Sequence, residues 1–170
     1  MRNGFYYNFP IGKIGIVEDS GAIVRVFFCP EKKYVTLPDK GLSRVKNMDT
    51  EFNLAETVLI KKAALQLEEY FGRKRKKFEL PLNLTGTEFQ VSVWKALETI
   101  PFGETRSYGD IAARIGNEKA CRAVGMANNR NPIIIIVPCH RVIGRDGSLT
   151  GYGGGLDVKK FLLELEGCNL

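Results

Sequence analysis

The hydrophobic pattern changes period along the chain, and the changes divide it. Between residues 4 and 28 apolar positions alternate: Phe5, Tyr7 and Phe9, then Ile14 and Ile16, then Ile23, Val24, Val26 and Phe28. Period two predicts half-buried strands, and Glu18-Asp19-Ser20-Gly21 between the last two runs predicts a hairpin turn. A looser stretch with Pro30, Pro38 and Gly41 follows. The spacing then becomes helical. Residues 51–71 predict a helix ended by Gly72, with Leu54, Val58 and Leu65 on one face and Leu59 and Ala63 beside it.

Pro81–Gly86 marks a boundary, so the chain is read as a small α/β domain over 1–83 and a mostly helical domain over 84–170. Thr87 and Gln90 make a capping box for a helix with Phe89, Val93, Ala96, Leu97 and Ile100 at helical spacing, stopped by Pro101. Trp94 lies close to that apolar face. Ser107 and Asp110 cap another short helix with Ile111, Ala112 and Ile115 inward. Gly116-Asn117 makes a turn, with Asn117 placed to cap a further helix whose Ala120, Val124 and Ala127 face inward. Two short helices with small residues at the crossing fit a helix-turn-helix, and equally an ordinary αα-hairpin. Arg114, Arg122 and Arg130 give the pair a basic side.

The run Ile133–Val137 is β-branched throughout and predicts a buried strand. Pro138 keeps Val137 extended and suits the first position of a helix. Cys139 would then sit in the first turn, where the dipole lowers a thiol pKa. His140, the chain's single histidine, follows at once. Adjacent side chains diverge, so a bridging water is the easier link between them. The pair fits an activated nucleophile, or an inert buried cysteine beside a capping histidine. Further on, Arg145-Asp146-Gly147 predicts a tight turn and Thr150–Gly155 a glycine-rich loop without the lysine of a phosphate-binding loop. The last helix begins near Asp157 with a stripe of Val158, Phe161, Leu162 and Leu165, and ends at Gly167. Glu166 opposes the helix dipole at that end and turns inward, which suits either a functional carboxylate or an exposed terminal residue.

Composition adds bounds. The 170 residues carry a net charge of +6, which weakly favours an anionic partner. The basic cluster 73–77 (R-K-R-K-K) reads as a phosphate-binding patch or as a solvated loop, the second being preferred. No apolar run approaches the ~20 residues of a membrane span, and no signal-peptide pattern opens the chain. Cys29, Cys121, Cys139 and Cys168 form no C-x-x-C, and one histidine makes a Cys/His metal site improbable. Free thiols and a cytoplasmic location are expected, with no metal and no cofactor.

Residues 131–143, N-P-I-I-I-I-V-P-C-H-R-V-I, resemble the active-site motif of the O6-alkylguanine-DNA alkyltransferases. The resemblance runs over most of 87–168, including R-A-V-G at 122–125, the Tyr152 glycine loop and the closing L-L-x-x-E-G. It implies a ribonuclease-H-like N-terminal domain followed by a winged helix-turn-helix domain. It also implies irreversible transfer of an alkyl group from guanine O6 in DNA to Cys139, with O4-alkylthymine a second candidate substrate. By the same resemblance His140 acts through a water as base, Glu166 orients His140, and Asn131 holds the turn around the cysteine. Arg122 takes the space of a flipped base, Tyr108 crowds the phosphate and reaches guanine N3, and Ala123 and Ala127 fit close to the minor groove. Val142, Tyr152, Gly153 and Ile134 line the base pocket, where Ile134 is bulkier than in many relatives. The implied partner is double-stranded DNA carrying the lesion, bound by a monomer. The alternatives are a lesion-recognition protein without transfer, a cysteine hydrolase, and a transcriptional regulator. Only alkyl transfer gives Cys139, Glu166 and the helix pair a role together.

Overall fold

The computed structural model describes residues 1–29 and 52–168. Pro30, Pro38 and Gly41 of the looser stretch lie outside the described residues. The chain divides into two compact units, Met1–Asn83 and Leu84–Leu170.

The first unit is a sheet with one helix. Strands β1 (Asn3–Phe9), β2 (Gly12–Asp19) and β3 (Ala22–Phe28) run antiparallel, and the short β4 (Asn53–Leu54) joins β1 in parallel, giving the order β3-β2-β1-β4. The predicted hairpin is present: Ser20 and Gly21 form a two-residue loop with φ of 51° and 80°, the left-handed pair that matches strand twist. Ile14, Ile16, Ile23 and Val26 are fully buried. On the opposite face Gly15 lies under the Phe27 ring, so closely that an added Cβ would sit 2.5 Å from it.

The helix α1 spans Val58–Phe71, not 51–71. Thr57 caps it by accepting from Ile60 N–H at 3.2 Å, while Asn53 and Leu54 are spent on the sheet. Its inward stripe is Ile60, Ala63, Ala64, Leu67 and Tyr70. The predicted stripe was set one position off: Val58 is 89% exposed and Leu65 54%. Gln66, buried on that face, is satisfied in both directions by the backbone of Glu79. In the basic cluster, Arg75 is held by Glu69 at 2.6 Å, which fits a solvated turn after the helix.

The second unit packs α2 (Glu88–Leu97), α3 (Tyr108–Arg114) and α4 (Cys121–Asn129) against one another, with α5 (Leu156–Leu165) closing the chain. Both predicted capping boxes form, Thr87 with Gln90 and Ser107 with Asp110. Trp94 is buried, and its indole N–H donates to Ala127 O at 2.8 Å, tying α2 to α4. The cap of α4 is Ala120 rather than Asn117, and no side chain serves it. Two short strands escaped the sequence pattern: β5 (Arg106–Ser107) pairs in parallel with β6 (Val142–Ile143). This pairing sets the start of α3 beside the segment that follows Cys139. Among the described residues no helix is long and apolar enough to cross a membrane.

Candidate active site

Asn131 opens the site. Its amide N–H donates to Val137 O at 2.7 Å, and its Oδ1 accepts from Ile133 N–H at 3.0 Å. Inside that clasp Ile136 N–H donates to Ile134 O and Val137 N–H to Ile133 O. Residues 133–137 therefore form a turn, not the predicted strand. A β-branched run favours burial, and a turn buries Ile133, Ile135, Ile136 and Val137 as well as a strand would. Ile135 takes φ 69°, a left-handed conformation that costs a non-glycine residue about 1–3 kcal/mol and that the Asn131 clasp enforces.

Cys139–Arg141 follow as a single 3-10 turn. Cys139 is 3% exposed, and burial pushes its thiol up to about 11, offset in part by the Asn131 side chain and by the charge of Lys159. The expected lowering by a helix N-terminus is overturned. A three-residue turn aligns too few peptide dipoles to offset desolvation of the thiolate. Burial therefore works against the thiolate at neutral pH. A base is needed to form it.

His140 is fully buried, and its Nε2 donates to Glu166 Oε1 at 2.7 Å, because an ionised carboxylate can only accept. Burial holds the imidazole below its ordinary pKa against the pull of Glu166, so it is neutral at pH 7 and carries its basic lone pair on Nδ1. Glu166 accepts two further bonds from Arg141, at 2.8 Å from Nε and 3.0 Å from Nη2, and one from Gly103 N–H at 3.1 Å. Burial raises this carboxyl, but His140 and Arg141 outweigh it and hold the group well below the usual carboxylate range. Arg141 also donates to Ile100 O at 2.6 Å, which anchors the assembly to the turn just after α2.

The helix pair reaches the same cysteine. Asn128 on α4 donates to Cys139 O at 3.2 Å, so the second helix of the pair holds the acceptor turn directly. Arg122 and Ala123 lie on the exposed face of α4. Ala127 does not: it is 2% exposed, turned into the core by the contact with Trp94. Tyr108, at the start of α3, donates from its hydroxyl to Thr150 O at 3.0 Å. Val142 is buried in β6, Ile134 and Tyr152 are half-buried, and Gly153 is exposed with open space around it.

The structure thus gathers Asn131, Cys139, His140 and Glu166 into one buried cluster. Sequence reasoning assigned no role to Arg141, Asn128, Gly103 or Lys159. Lys159 was legible: it lies seven residues before Glu166, on the same helix face as Leu162 and Leu163. Of the predicted stripe Leu162 is fully buried while Phe161 is 37% exposed, and Lys159 and Leu163 complete the inward face. No disulfide joins the four cysteines, and Cys121 is exposed.

The model of the 6-O-methylguanine DNA methyltransferase DNA binding domain matches residues 88–168, and that of the same enzyme's ribonuclease-like domain matches residues 4–84. The Methanosarcina acetivorans methylated-DNA–protein-cysteine methyltransferase is 53% identical over 158 residues, covering 93% of this chain and 94% of that protein. The chain belongs to the O6-methylguanine-DNA methyltransferase family. The constitutive enzyme of Bacillus subtilis is 48% identical over 92% of this chain and 90% of its own length. The Mycobacterium tuberculosis OGT, solved in complex with DNA, aligns with a TM-score of 0.81 at 41% identity over 96% of this chain and 92% of that one. The two-domain architecture read from the family motif, a ribonuclease-like domain then a helical DNA-binding domain, is the one found.

Proposed function

We propose that this protein repairs DNA by transferring the alkyl group of O6-alkylguanine to Cys139, once per molecule. The observation that carries the proposal is the buried Cys139 beside a neutral His140 bonded to Glu166, with Asn128 of the second helix of the pair holding the acceptor turn. Its family membership and the DNA complex of a relative agree with that chemistry.

His140 Nδ1 takes the thiol proton through a water, and the thiolate sulfur attacks the sp3 carbon on O6. The S–C bond forms as the C–O6 bond breaks, and the electron pair leaves with guanine. The proton removed from the thiol ends on the guanine, so the products are neutral guanine and a thioether. Glu166 stabilises the imidazolium formed on the way. Water has no easy route to a thioether, so the protein is consumed. The raised thiol pKa fits this use. The sulfur stays protonated and unreactive until substrate is in place.

The base must leave the stack to reach a buried sulfur. In this reading α4 lies in the minor groove, Arg122 fills the vacated space and Tyr108 crowds the phosphate. Val142, Tyr152, Gly153 and Ile134 line the pocket for the flipped base. The protein acts as a monomer in the cytoplasm, on O6-alkylguanine, with O4-alkylthymine a second candidate substrate.

The test is intact mass and peptide mapping after incubation with an O6-methylguanine duplex, beside Cys139→Ala. One methyl per molecule on Cys139, absent in the variant and without further turnover, is expected. An unmodified protein that still prefers the lesion duplex over plain DNA would replace transfer with recognition alone.

A further inference from the structure

Most of the chain's positive charge lies outside the segment that matches the DNA binding domain. Residues 88–168 carry 10 Lys/Arg and 9 Asp/Glu, a net charge of +1. Two of those cations, Arg141 and Lys159, are buried. Residues 1–83 carry 15 Lys/Arg and 10 Asp/Glu, a net charge of +5. Five of the 15 are the unbroken run Arg73–Lys77. Attraction to undamaged DNA comes from cations that displace counterions from phosphates. The densest supply of such cations is therefore in the N-terminal unit.

The run is a built turn. Arg73 N–H donates to Tyr70 O, and the N–H groups of Lys74 and Arg75 both donate to Glu69 O, closing α1. Arg75 is spent on structure: its Nε bonds Glu69 at 2.6 Å and its Nη1 donates to Lys77 O at 2.8 Å. One guanidinium thus pins the turn to the helix at one end and holds its last residue at the other. Arg73, Lys74, Lys76 and Lys77 are exposed. Of these, Arg73, Lys74 and Lys77 pair with no carboxylate among the described residues. Arg73 takes φ 58°, at the position after a helix where glycine is usual because a side chain there is strained. A helix dipole favours cations only in its last turn, and neighbouring like charges repel. Local rules therefore favour a glycine and neutral residues here, and the chain carries cations instead.

We propose that the turn Arg73–Lys77 is a second DNA-binding surface, which holds the phosphate backbone of duplex DNA regardless of lesion or sequence. The neighbouring aromatic points to phosphate rather than to bases or lipid. Phe78 is half-buried and packs against Tyr70 with ring centroids 5.6 Å apart, so it is committed to the core. Stacking on single-stranded bases and insertion into a bilayer both call for an exposed apolar ring beside the cations. Exposed cations without one suit the outside of a duplex, where phosphate contacts position a protein and carry no sequence information. The surface adds affinity for undamaged DNA, and the lesion is read elsewhere, at Cys139. This inference rests on the reading that the protein acts on DNA, and adds a site to it.

The test uses the full-length protein with Cys139→Ala throughout, so that the lesion survives the measurement. A patch variant combines Arg73→Gly, Lys74→Gln and Lys77→Gln, leaving Arg75 and its bonds in place. A control variant combines Lys61→Gln, Lys62→Gln and Lys160→Gln, which removes the same charge from exposed positions on α1 and α5. Binding to plain and O6-methylguanine duplexes is followed by fluorescence anisotropy from about 50 to 200 mM KCl. Each phosphate contact contributes about 0.9 to the slope of log affinity against log salt, so the patch variant should lose about two to three from that slope. The loss should be the same on both duplexes, leaving the preference for the lesion unchanged, and the control should keep most of the parent slope. Thermal melts verify folding; should the patch variant melt early, Lys74→Gln with Lys77→Gln is read instead, with a loss of about one to two. A parent slope in the folded patch variant, or an equal loss in the control, would overturn the inference while leaving the repair reading intact. So would binding to phosphatidylglycerol vesicles that the patch variant loses while its DNA slope stays at the parent value. A parent protein that binds neither duplex would overturn both readings together.

Discussion

Replacing Glu166 by Gln changes one atom and should have a large effect. The carboxylate accepts from His140 Nε2, from Arg141 Nε and Nη2, and from Gly103 N–H. A glutamine offers one accepting oxygen, and its NH2 group meets a donor wherever it is placed. Arg141 would be left as a buried cation without its counter-charge. Removing one partner of such a pair costs about 3–5 kcal/mol. For a chain of this length each kcal/mol lowers Tm by about 2–4 °C, so a fall of roughly 6–20 °C is expected. The pH dependence has a definite sign. The folded carboxyl lies below its ordinary value of 4.5, so its contribution is fully present above about pH 4.5 and is lost as pH falls through the folded value. The Tm gap between wild type and Glu166→Gln should hold from pH 7 to pH 5 and narrow below that. Alkyl transfer should slow by about a hundredfold or more, because His140 loses the anion that stabilises its charged form. Thermal melts across pH and quenched single-turnover mass spectrometry measure both. A variant melting within about 3 °C of wild type and transferring at the wild-type rate would refute the picture of one carboxylate holding the site together.

Three further outcomes follow from other contacts. Arg122→Ala removes an exposed side chain from α4, so Tm should stay within about 1 °C while affinity for the lesion duplex falls, measured by fluorescence anisotropy. Trp94→Phe removes the indole donor to Ala127 O, which keeps Arg130 N–H, and should cost about 0.5–1.5 kcal/mol in denaturant unfolding. Native protein treated briefly with iodoacetamide at pH 7 should be labelled on exposed Cys121 well before Cys139, with the order lost in denaturant, as read by peptide mapping.

Much of the fold was legible because local chemistry and tertiary structure agree. Thr87 with Gln90 and Ser107 with Asp110 are self-contained signals, satisfied within one helical turn whatever packs above them. Ser20-Gly21 is likewise local. The misreadings came where a distant partner decides. Nothing inside residues 51–57 says that Asn53 and Leu54 pair with β1, fifty residues earlier, so the helical spacing was extended through them. The two-residue strands β5 and β6 are too short to show any period and exist because each supplies the other's partner.

The site itself divides along the same line. Cys139, His140, Asn131 and Glu166 could be named because the motif and one misplaced carboxylate expose them, but their electrostatics could not be read from neighbours in sequence. A cysteine after a proline suggested a dipole-activated thiolate. The actual turn is too short to supply a dipole, and burial reverses the sign. The difference matters for function. A pre-formed thiolate would react with any small electrophile that reached it, and each such event would destroy a protein that works once. Burial that pushes the thiol up to about 11 works against a standing thiolate, so a base is needed to form one. The charges around that base, Arg141 on Glu166 and Lys159 between two carbonyls, come from the residue after the histidine and from a helix eighteen residues further on. The electrostatics of the site are therefore a property of the assembled fold, because Glu166 at the end of α5 holds both His140 and Arg141 of the 131–143 motif.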